Sequence, residues 1–339
     1  MKLLVWLLRD VAYHPRGYYR LARSIAKKHE VEVWGRPIAP PTIEGPLRVH
    51  IDLRVWELLC TPPSYPLTYI INDCLPPAPS APVIACNPLD MPILLYYLER
   101  PLIWDVWEDY RKNYRYEPSY SSYQRFIRRL GWNFLQPLLK RLPIYFSLAE
   151  YAYAGLTPFS RSIFLPNAFV SVEGASPLLP ELVGKYFLYT GNFSPGWGFW
   201  EAVEKALAHP KKPFVFAGSL KSSVVEKRLL ERLRDHKAWL GIWGRFIPYP
   251  VIQNLQRHCK VLYALYQPLP HLVGKIPSKF YEAAALGIPC IYPEGVSSIW
   301  DAFWKNYRDY PQAPRLYWEF YESLLEEGIA IATKAFYGF

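Results

Sequence analysis

What most constrains this chain is a repeated alternation of short apolar runs with amphipathic segments, interrupted once near its middle. Residues 2–8 form an apolar run that predicts a strand, and 17–28 carry Tyr18, Leu21, Ala22, Ile25 and Ala26 at helical spacing. Runs at 31–34, 82–86, 102–106 and 144–149 read as further strands, with helices over 90–98 and 123–141. An irregular stretch bearing Pro and Gly, 166–184, breaks the pattern and marks the domain boundary. It then restarts, with strands at 186–190, 214–217, 239–243, 261–265 and 289–292 and helices at 199–208, 224–235, 251–259 and 278–286. Alternating βα units imply parallel sheets, so the expected class is α/β, two Rossmann-like doubly wound domains in tandem. The length, 339 residues, suits two cores of roughly 150 residues each. Sheets of this kind bind ligands outside the carboxyl ends of their strands, which makes a central cleft faced by both domains the expected active site.

Composition narrows the class. The chain is 51% hydrophobic and 20% charged, the balance of a globular protein rather than a disordered one. The run 3–8 stops at Arg9 and Asp10, and 91–104 is broken by Glu99 and Arg100, so neither reaches the roughly 20 apolar residues of a membrane span. The first run is also too short for a signal-peptide core, and a cytoplasmic protein is expected. Cys60, Cys74, Cys86, Cys259 and Cys290 are widely spaced and never form C-x-x-C, which fits small core residues rather than a disulfide framework or zinc site. The 39 basic residues against 29 acidic ones give a net charge of +10, which favours anionic partners. The 34 prolines and 2 methionines point to a thermophilic source.

The segment PSKFYEAAALGIP (277–289) follows a strand and a proline-rich loop and reads as a helix with its start and stop signals. Ser278 is placed to cap it, Gly287 to end it in a left-handed turn, and Pro289 to prevent continuation. A helix N-terminus presents unpaired N–H groups and positive dipole to an anion, and Lys275 and Lys279 add full charge, a combination suited to pyrophosphate. Glu282, one turn after Ser278, shares its face and is placed to accept hydrogen bonds from ribose hydroxyls. The bland alternative is a capping pattern with a solvated first-turn lysine.

These residues resemble the retaining GT-B glycosyltransferases of family four (glycosyl transferases group 1), which use nucleotide sugars. That family carries a helix of pattern P-x-K-x-x-E-x-x-A-x-G-x-P, matched here by Lys279, Glu282, Ala285, Gly287 and Pro289. The segments YTGNF (189–193), FAGS (216–219) and IWGRFI (242–247) are similar to its strand-end and base-contacting loops, in the same order. IWDVWEDY (103–110) and LPN (165–167) resemble two segments of its first domain. The resemblance runs from Lys2 to about Pro293. Together with Ser278 and Lys275 from the helix start, it gives an expected donor site of Glu282, Lys279, Gly191, Gly218, Arg245 and Phe246, with Asn192 beside Gly191. It also implies an acceptor-side loop at Arg16 and Gly17, and no metal or cofactor besides the nucleotide-diphosphate sugar.

The chain departs from the pattern at charged positions. Gly274 stands where the family has a glutamate, and Asn192 and Trp197 where it has the arginine and lysine that neutralise donor phosphates. Lys275, Lys279 and Arg245 are the remaining sources of that charge. A departing nucleoside diphosphate needs its negative charge stabilised more than the reaction needs a strong base. Glu108 and Asp109 follow a strand and are candidates to orient or deprotonate the acceptor, and His14 after the first strand is a third. Each has a bland alternative, a solvated loop pair for the carboxylates and an exposed or structural histidine for His14. Asp105 reads as structural.

Residues 110–141 mix Arg111, Lys112, Arg115, Arg125, Arg128, Arg129, Lys140 and Arg141 with aromatic side chains. That mixture suits peripheral contact with an anionic membrane, through which a lipid-linked acceptor would be reached. An ordinary surface helix gives the same pattern. Nucleic acid is not expected, because no RNP-like or zinc motif accompanies it. Beyond residue 298, Trp300, Phe303, Trp304, Tyr307, Tyr310, Tyr317, Trp318, Phe320 and Tyr321 outline aromatic helices.

The sequence therefore predicts an N-terminal acceptor-binding domain at 1–172, a nucleotide-sugar-binding domain at 173–297, and helices at 298–339 packing back on the first. The expected activity is metal-independent transfer of a sugar from a nucleotide-diphosphate sugar to a glycan or lipid-linked acceptor, with retention. Two alternatives stand beside it, a non-catalytic GT-B-like binding protein or partner subunit, and a nucleotide-sugar epimerase of the same fold.

Overall fold

The computed structural model describes residues 2–61, 66–70, 81–91, 101–157, 159–171, 175–220, 222–307, 323, 325–331 and 334. The chain divides into two compact units. The first comprises Met1–Pro37, Pro62–Val170 and Arg315–Phe339, the second Ile38–Thr61 and Ser171–Pro314.

The first unit holds a parallel sheet of β1 (Lys2–Val11), β2 (Glu30–Arg36), β4 (Leu67–Ile70), β5 (Val83–Ala85), β6 (Leu102–Val106), β7 (Ile144–Leu148) and β8 (Ser162–Phe164). Its strand order is β4-β2-β1-β5-β6-β7-β8. The chain winds outward from β1 in one direction and then returns to β5 on its other side, so the switch point lies between β1 and β5. Every residue of β5 and β6 is buried, as strands covered on both faces require. A helix, α1, opens as a π-helix over Pro15–Ala22 and finishes at Arg23–Ile25. Two more helices, α3 (Tyr110–Tyr116) and α4 (Ser122–Arg141), pack on the core around Trp104, Trp132 and Phe146. A capping box of Ser121 and Gln124 starts α4. The helix read from sequence at 90–98 and Cys74 fall largely or wholly outside the described residues.

The second unit carries a sheet of order β13-β12-β9-β10-β11-β3, built from β9 (Phe187–Asn192), β10 (Phe214–Ser219), β11 (Trp239–Gly244), β12 (Val261–Tyr263) and β13 (Cys290–Ile291), with β3 (Thr42–Glu44) at its edge. All pairs are parallel except β11 with β3. Here the switch point lies between β9 and β12. Helices α5 (Phe199–Leu207), α6 (Ser223–Arg232), α7 (Tyr249–His258) and α8 (Ser278–Leu286) alternate with the strands.

Two features correct the linear division at residue 172. Residues 38–61 belong to the second unit. Ile43 pairs with Ile242 across β3 and β11, and helix α2 (Leu53–Cys60) buries Val55 and Leu59 in the same core as Leu188 and Leu262. The aromatic helix α9 (Ser298–Tyr307) also stays with the second unit, where Trp300, Phe303 and Trp304 pack on Phe280. The sequence predicts instead that 298–339, this helix included, packs on the first domain. Only later residues group there, with Glu326 bonding His29 at 3.1 Å. Tyr310, Tyr317, Trp318, Phe320 and Tyr321 lie outside the described residues.

Candidate functional site

The donor-type residues of the second unit converge at the carboxyl end of its sheet. Gly191, in β9, has φ +114, a left-handed value that favours glycine. Its neighbour in the ladder, Gly218, sits so close that a Cβ there would lie 1.8 Å from the Gly191 carbonyl oxygen. Bare backbone at both positions lets the strand ends approach. A Cβ on Gly191 would itself come within 3.1 Å of the Lys279 Nζ. The lysine thus reaches from α8 to the end of β9, beside the switch point.

Helix α8 begins at Ser278, with Pro277 in the cap position and no side-chain cap. This corrects the assignment of Ser278 as the cap. Ser278 is instead the first helical residue, and Gly287 closes the helix in the left-handed conformation, φ +67. Lys279 is not solvated. It is 6% exposed, its Nζ lies 4.6 Å from the Tyr189 ring centre and 5.1 Å from that of Tyr266, and it has no hydrogen-bond acceptor among the described residues. Burial lowers its pKa from 10.5 to about 8, with Cys290 and Glu282 partly opposing the shift. Burial likewise pushes the Cys290 thiol up to about 12. The Tyr189 hydroxyl donates to the Asn192 carbonyl at 2.6 Å, tying the aromatic cage to the turn after β9.

Glu282 is buried as well, and its carboxylate is engaged. The Tyr249 hydroxyl donates to Oε1 and Gln256 Nε2 to Oε2, both at 2.9 Å, and Gln253 Nε2 supports Tyr249 at 2.9 Å. The structure therefore brings Lys279, Gly191 and Gly218 together and holds Glu282 within a polar network with α7. Lys275 is half-buried, its Nζ 5.3 Å from the Trp197 ring centre. Asn192 is half-buried at the carboxyl end of β9. Arg245 is exposed and Phe246 half-buried in the loop after β11, where the Arg245 carbonyl accepts from Ser219 Oγ at 2.7 Å.

The residues singled out in the first unit have structural partners. Arg16 is buried and forms a bidentate pair with Asp105, Nε to Oδ2 at 2.6 Å and Nη2 to Oδ1 at 2.7 Å. Its Nη1 also bonds Asn167 Oδ1 at 3.0 Å, its Nη2 the Leu165 carbonyl at 2.9 Å, and Ser147 Oγ donates to Asp105. Arg16 is thus a clamp across the sheet end rather than a free acceptor-loop cation, while Asp105 is structural. At Gly17 a Cβ would lie 2.7 Å from a Leu7 methyl, so the residue permits close packing of α1 on β1. Asp109 is buried and caps α3 through Oδ1, 3.0 Å from the Lys112 amide, with Lys112 Nζ at 3.6 Å from Oδ2. Neither a free base nor a solvated loop residue, it has a capping role. Glu108 is half-buried and accepts from Asn113 Nδ2 at 2.9 Å. His14 caps α1 through Nδ1, 3.3 Å from the Arg16 amide, and its ring centre lies 4.4 Å from that of Trp107. It follows β1 at the first sheet's switch point.

No protein-family model matches the chain, and none of the curated proteins does. Among solved structures it is similar to AviGT4, a glycosyltransferase involved in avilamycin A biosynthesis, with 11% identity, 100% of this chain and 99% of that one covered, and a TM-score of 0.50. It is also similar to UDP-N-acetylglucosamine 2-epimerase from Rickettsia bellii (9% identity, 98% and 95% covered, TM-score 0.49). A third is the catalytic domain of starch synthase IV from Arabidopsis thaliana bound to ADP and acarbose (9% identity, 99% and 99% covered, TM-score 0.48). The fold is GT-B.

Within this GT-B chain, sequence reasoning missed the residues that enclose the two central charges. Tyr189 and Tyr266 cage Lys279, while Tyr249, Gln253 and Gln256 surround Glu282. The latter three had a signal. Positions 249, 253 and 256 share one face of α7, and polar groups on a face that must be buried call for a polar partner. Tyr266 had none, since it lies in an irregular segment after β12.

Proposed function

We propose that this chain is a glycosyltransferase, similar to family four, that moves a sugar from a nucleotide-diphosphate sugar to a glycan or lipid-linked acceptor with retention. The observation that carries this reading is the buried Lys279 ammonium, caged by two aromatic rings and without an acceptor among the described residues, on the first turn of a helix that no side chain caps. Desolvating a cation is costly unless a counter-charge completes the site, and a diphosphate supplies two. Helix N–H groups and dipole favour the same ligand. In the reaction the glycosyl–oxygen bond to the diphosphate breaks, and Lys279, helped by Lys275, stabilises the charge left on the nucleotide without a metal. Gly191, facing Lys279, gives the phosphates access to backbone, and Gly218 lets its strand pack close enough to hold that turn. Glu282, braced by Tyr249 and Gln256, is the carboxylate assigned to the ribose, and Arg245 and Phe246 border the base. On the acceptor side, Glu108 and His14 are the groups assigned to the hydroxyl.

A second reading, a binding protein without transferase activity, is favoured by the structural hydrogen bonds that already hold Glu282 and Asp109 and by Asn192 and Trp197 at the family's charged positions. Melting the protein with uridine, guanosine or adenosine diphosphate tests the shared donor site. One of them should raise Tm, with a stabilisation of about 2.7 kcal/mol at 100 times its Kd. If none does, the donor-site assignment is wrong. Incubation with the matching nucleotide sugars then separates the readings. Acceptor-dependent release of nucleoside diphosphate marks a transferase, binding without turnover the second reading, and conversion of the sugar without any acceptor an epimerase.

A further inference from the structure

Helix α4 has two apolar faces, and the first unit uses only one. Trp132 and Leu139 are buried, while the Arg128 guanidinium lies 4.4 Å over Tyr120 and 5.6 Å over Tyr114, both beside the buried side. On the opposite side Tyr123, Phe126 and Phe134 are 73%, 61% and 74% exposed, and Ile127, Leu130 and Leu138 are exposed with them. At 3.6 residues per turn these six side chains fall within roughly 120° of one another and extend about 22 Å along the helix. Three large rings held in water on one stripe exceed the scattered exposure normal for a soluble surface.

The charge around the stripe selects what covers it. Arg129, Lys140 and Arg141 are exposed on the same helix, and no Asp or Glu occurs between Glu117 and Glu150. The net charge of the whole chain, +10, has the same sign. A second copy docked through the same stripe would oppose cations to cations with no acid on either helix. A surface offering both hydrocarbon and negative charge answers both features. We propose that the outer face of α4 docks on the headgroup region of an anionic lipid bilayer, with its rings inserted and its cations against the lipid phosphates. No described helix is long and apolar enough to cross a membrane, so this contact lies in the plane of the interface. The proposal is independent of the donor-site reading.

The test is flotation of the full chain with vesicles of phosphatidylglycerol and phosphatidylcholine in equal parts, compared with phosphatidylcholine alone. Binding should be confined to the anionic vesicles, weaken at raised salt, and fall roughly tenfold or more in Arg129→Glu/Lys140→Glu. Phe126→Ser/Phe134→Ser should lose insertion while keeping the parent's Tm, because neither ring contributes to the core; single Tyr123→Ser provides a milder check. Absence of binding to anionic vesicles, or undiminished binding by both double variants, would overturn the proposal. So would a concentration-dependent dimer that Phe126→Ser/Phe134→Ser dissolves.

Discussion

Replacing Lys279 by methionine should make the unliganded protein more stable and the nucleotide-binding protein worse. The folded state holds the lysine at a pKa of about 8 against 10.5 when solvated, so its charged form is disfavoured on folding. At 1.36 kcal/mol per unit this amounts to about 3 kcal/mol at pH 7, and the two aromatic contacts return about 1 kcal/mol or more. Methionine keeps the length and apolar stem, so the expected gain at pH 7 is about 1–3 kcal/mol. The sign follows from linkage. Between about pH 8 and 10.5 the unfolded chain binds more protons at this position than the folded one, so wild-type stability rises with pH across that window. The advantage of Lys279→Met must therefore shrink toward pH 10, where the folded lysine is already neutral. Urea unfolding of both proteins at pH 7 and pH 10 measures this as a difference of differences, which cancels the buried tyrosines that titrate in both. The same variant should show no Tm rise with the nucleoside diphosphate that stabilises wild type. A loss of stability at pH 7, or a gain of equal size at both pH values, would refute the idea that the lysine is stored as an uncompensated charge.

Gly191→Ala should lose about 1–3 kcal/mol in denaturant unfolding, because φ +114 is strained for any side chain and its methyl would meet the Lys279 ammonium. Nucleotide-induced stabilisation should fall with it. Arg16→Met should cost about 3–5 kcal/mol in the same assay by stranding the buried Asp105 carboxylate, and Arg16→Lys should not rescue it because lysine cannot make the bidentate pair. An unaffected Arg16→Met would argue against the clamp. Gln256→Leu should cost about 1–3 kcal/mol by removing a donor to the buried Glu282 Oε2, and should weaken nucleotide binding more than Gln253→Leu, whose amide donates to Tyr249. Equal binding losses for the two would show that the network acts as bulk packing.

How much of this was legible depends on whether the relevant interaction is local. Strands β1, β2, β5, β6 and β7 of the first sheet, β9 to β13 of the second and the bounds of α8 follow from apolar runs, a terminal glycine and Pro289, all of which act within a few residues, whereas the outer strands β4 and β8 were not read. The edge strand β3 was not readable. It has three residues among Pro37, Pro40, Pro41 and Pro46, and what makes it a strand is a ladder to Gly241, Ile242 and Trp243, some 200 positions away. For the same reason a linear division placed 38–61 in the wrong unit. At the site, Lys279 and Glu282 were found by spacing, but their environment was misjudged. A lysine on the first turn of a helix suggests water until the other positions are counted. Phe280, Tyr281, Ala283, Ala284 and Ala285 leave no polar side for α8 to turn outward, and a helix apolar all round is a buried helix. Those neighbours oblige Lys279 and Glu282 to be buried too. A buried carboxylate must recruit donors, which α7 supplies, while the ammonium three residues earlier lies between aromatic faces with no hydrogen-bond acceptor among the described residues. That asymmetry within a single turn is the physical reason to look for an anionic ligand at Lys279 rather than at any of the exposed cations.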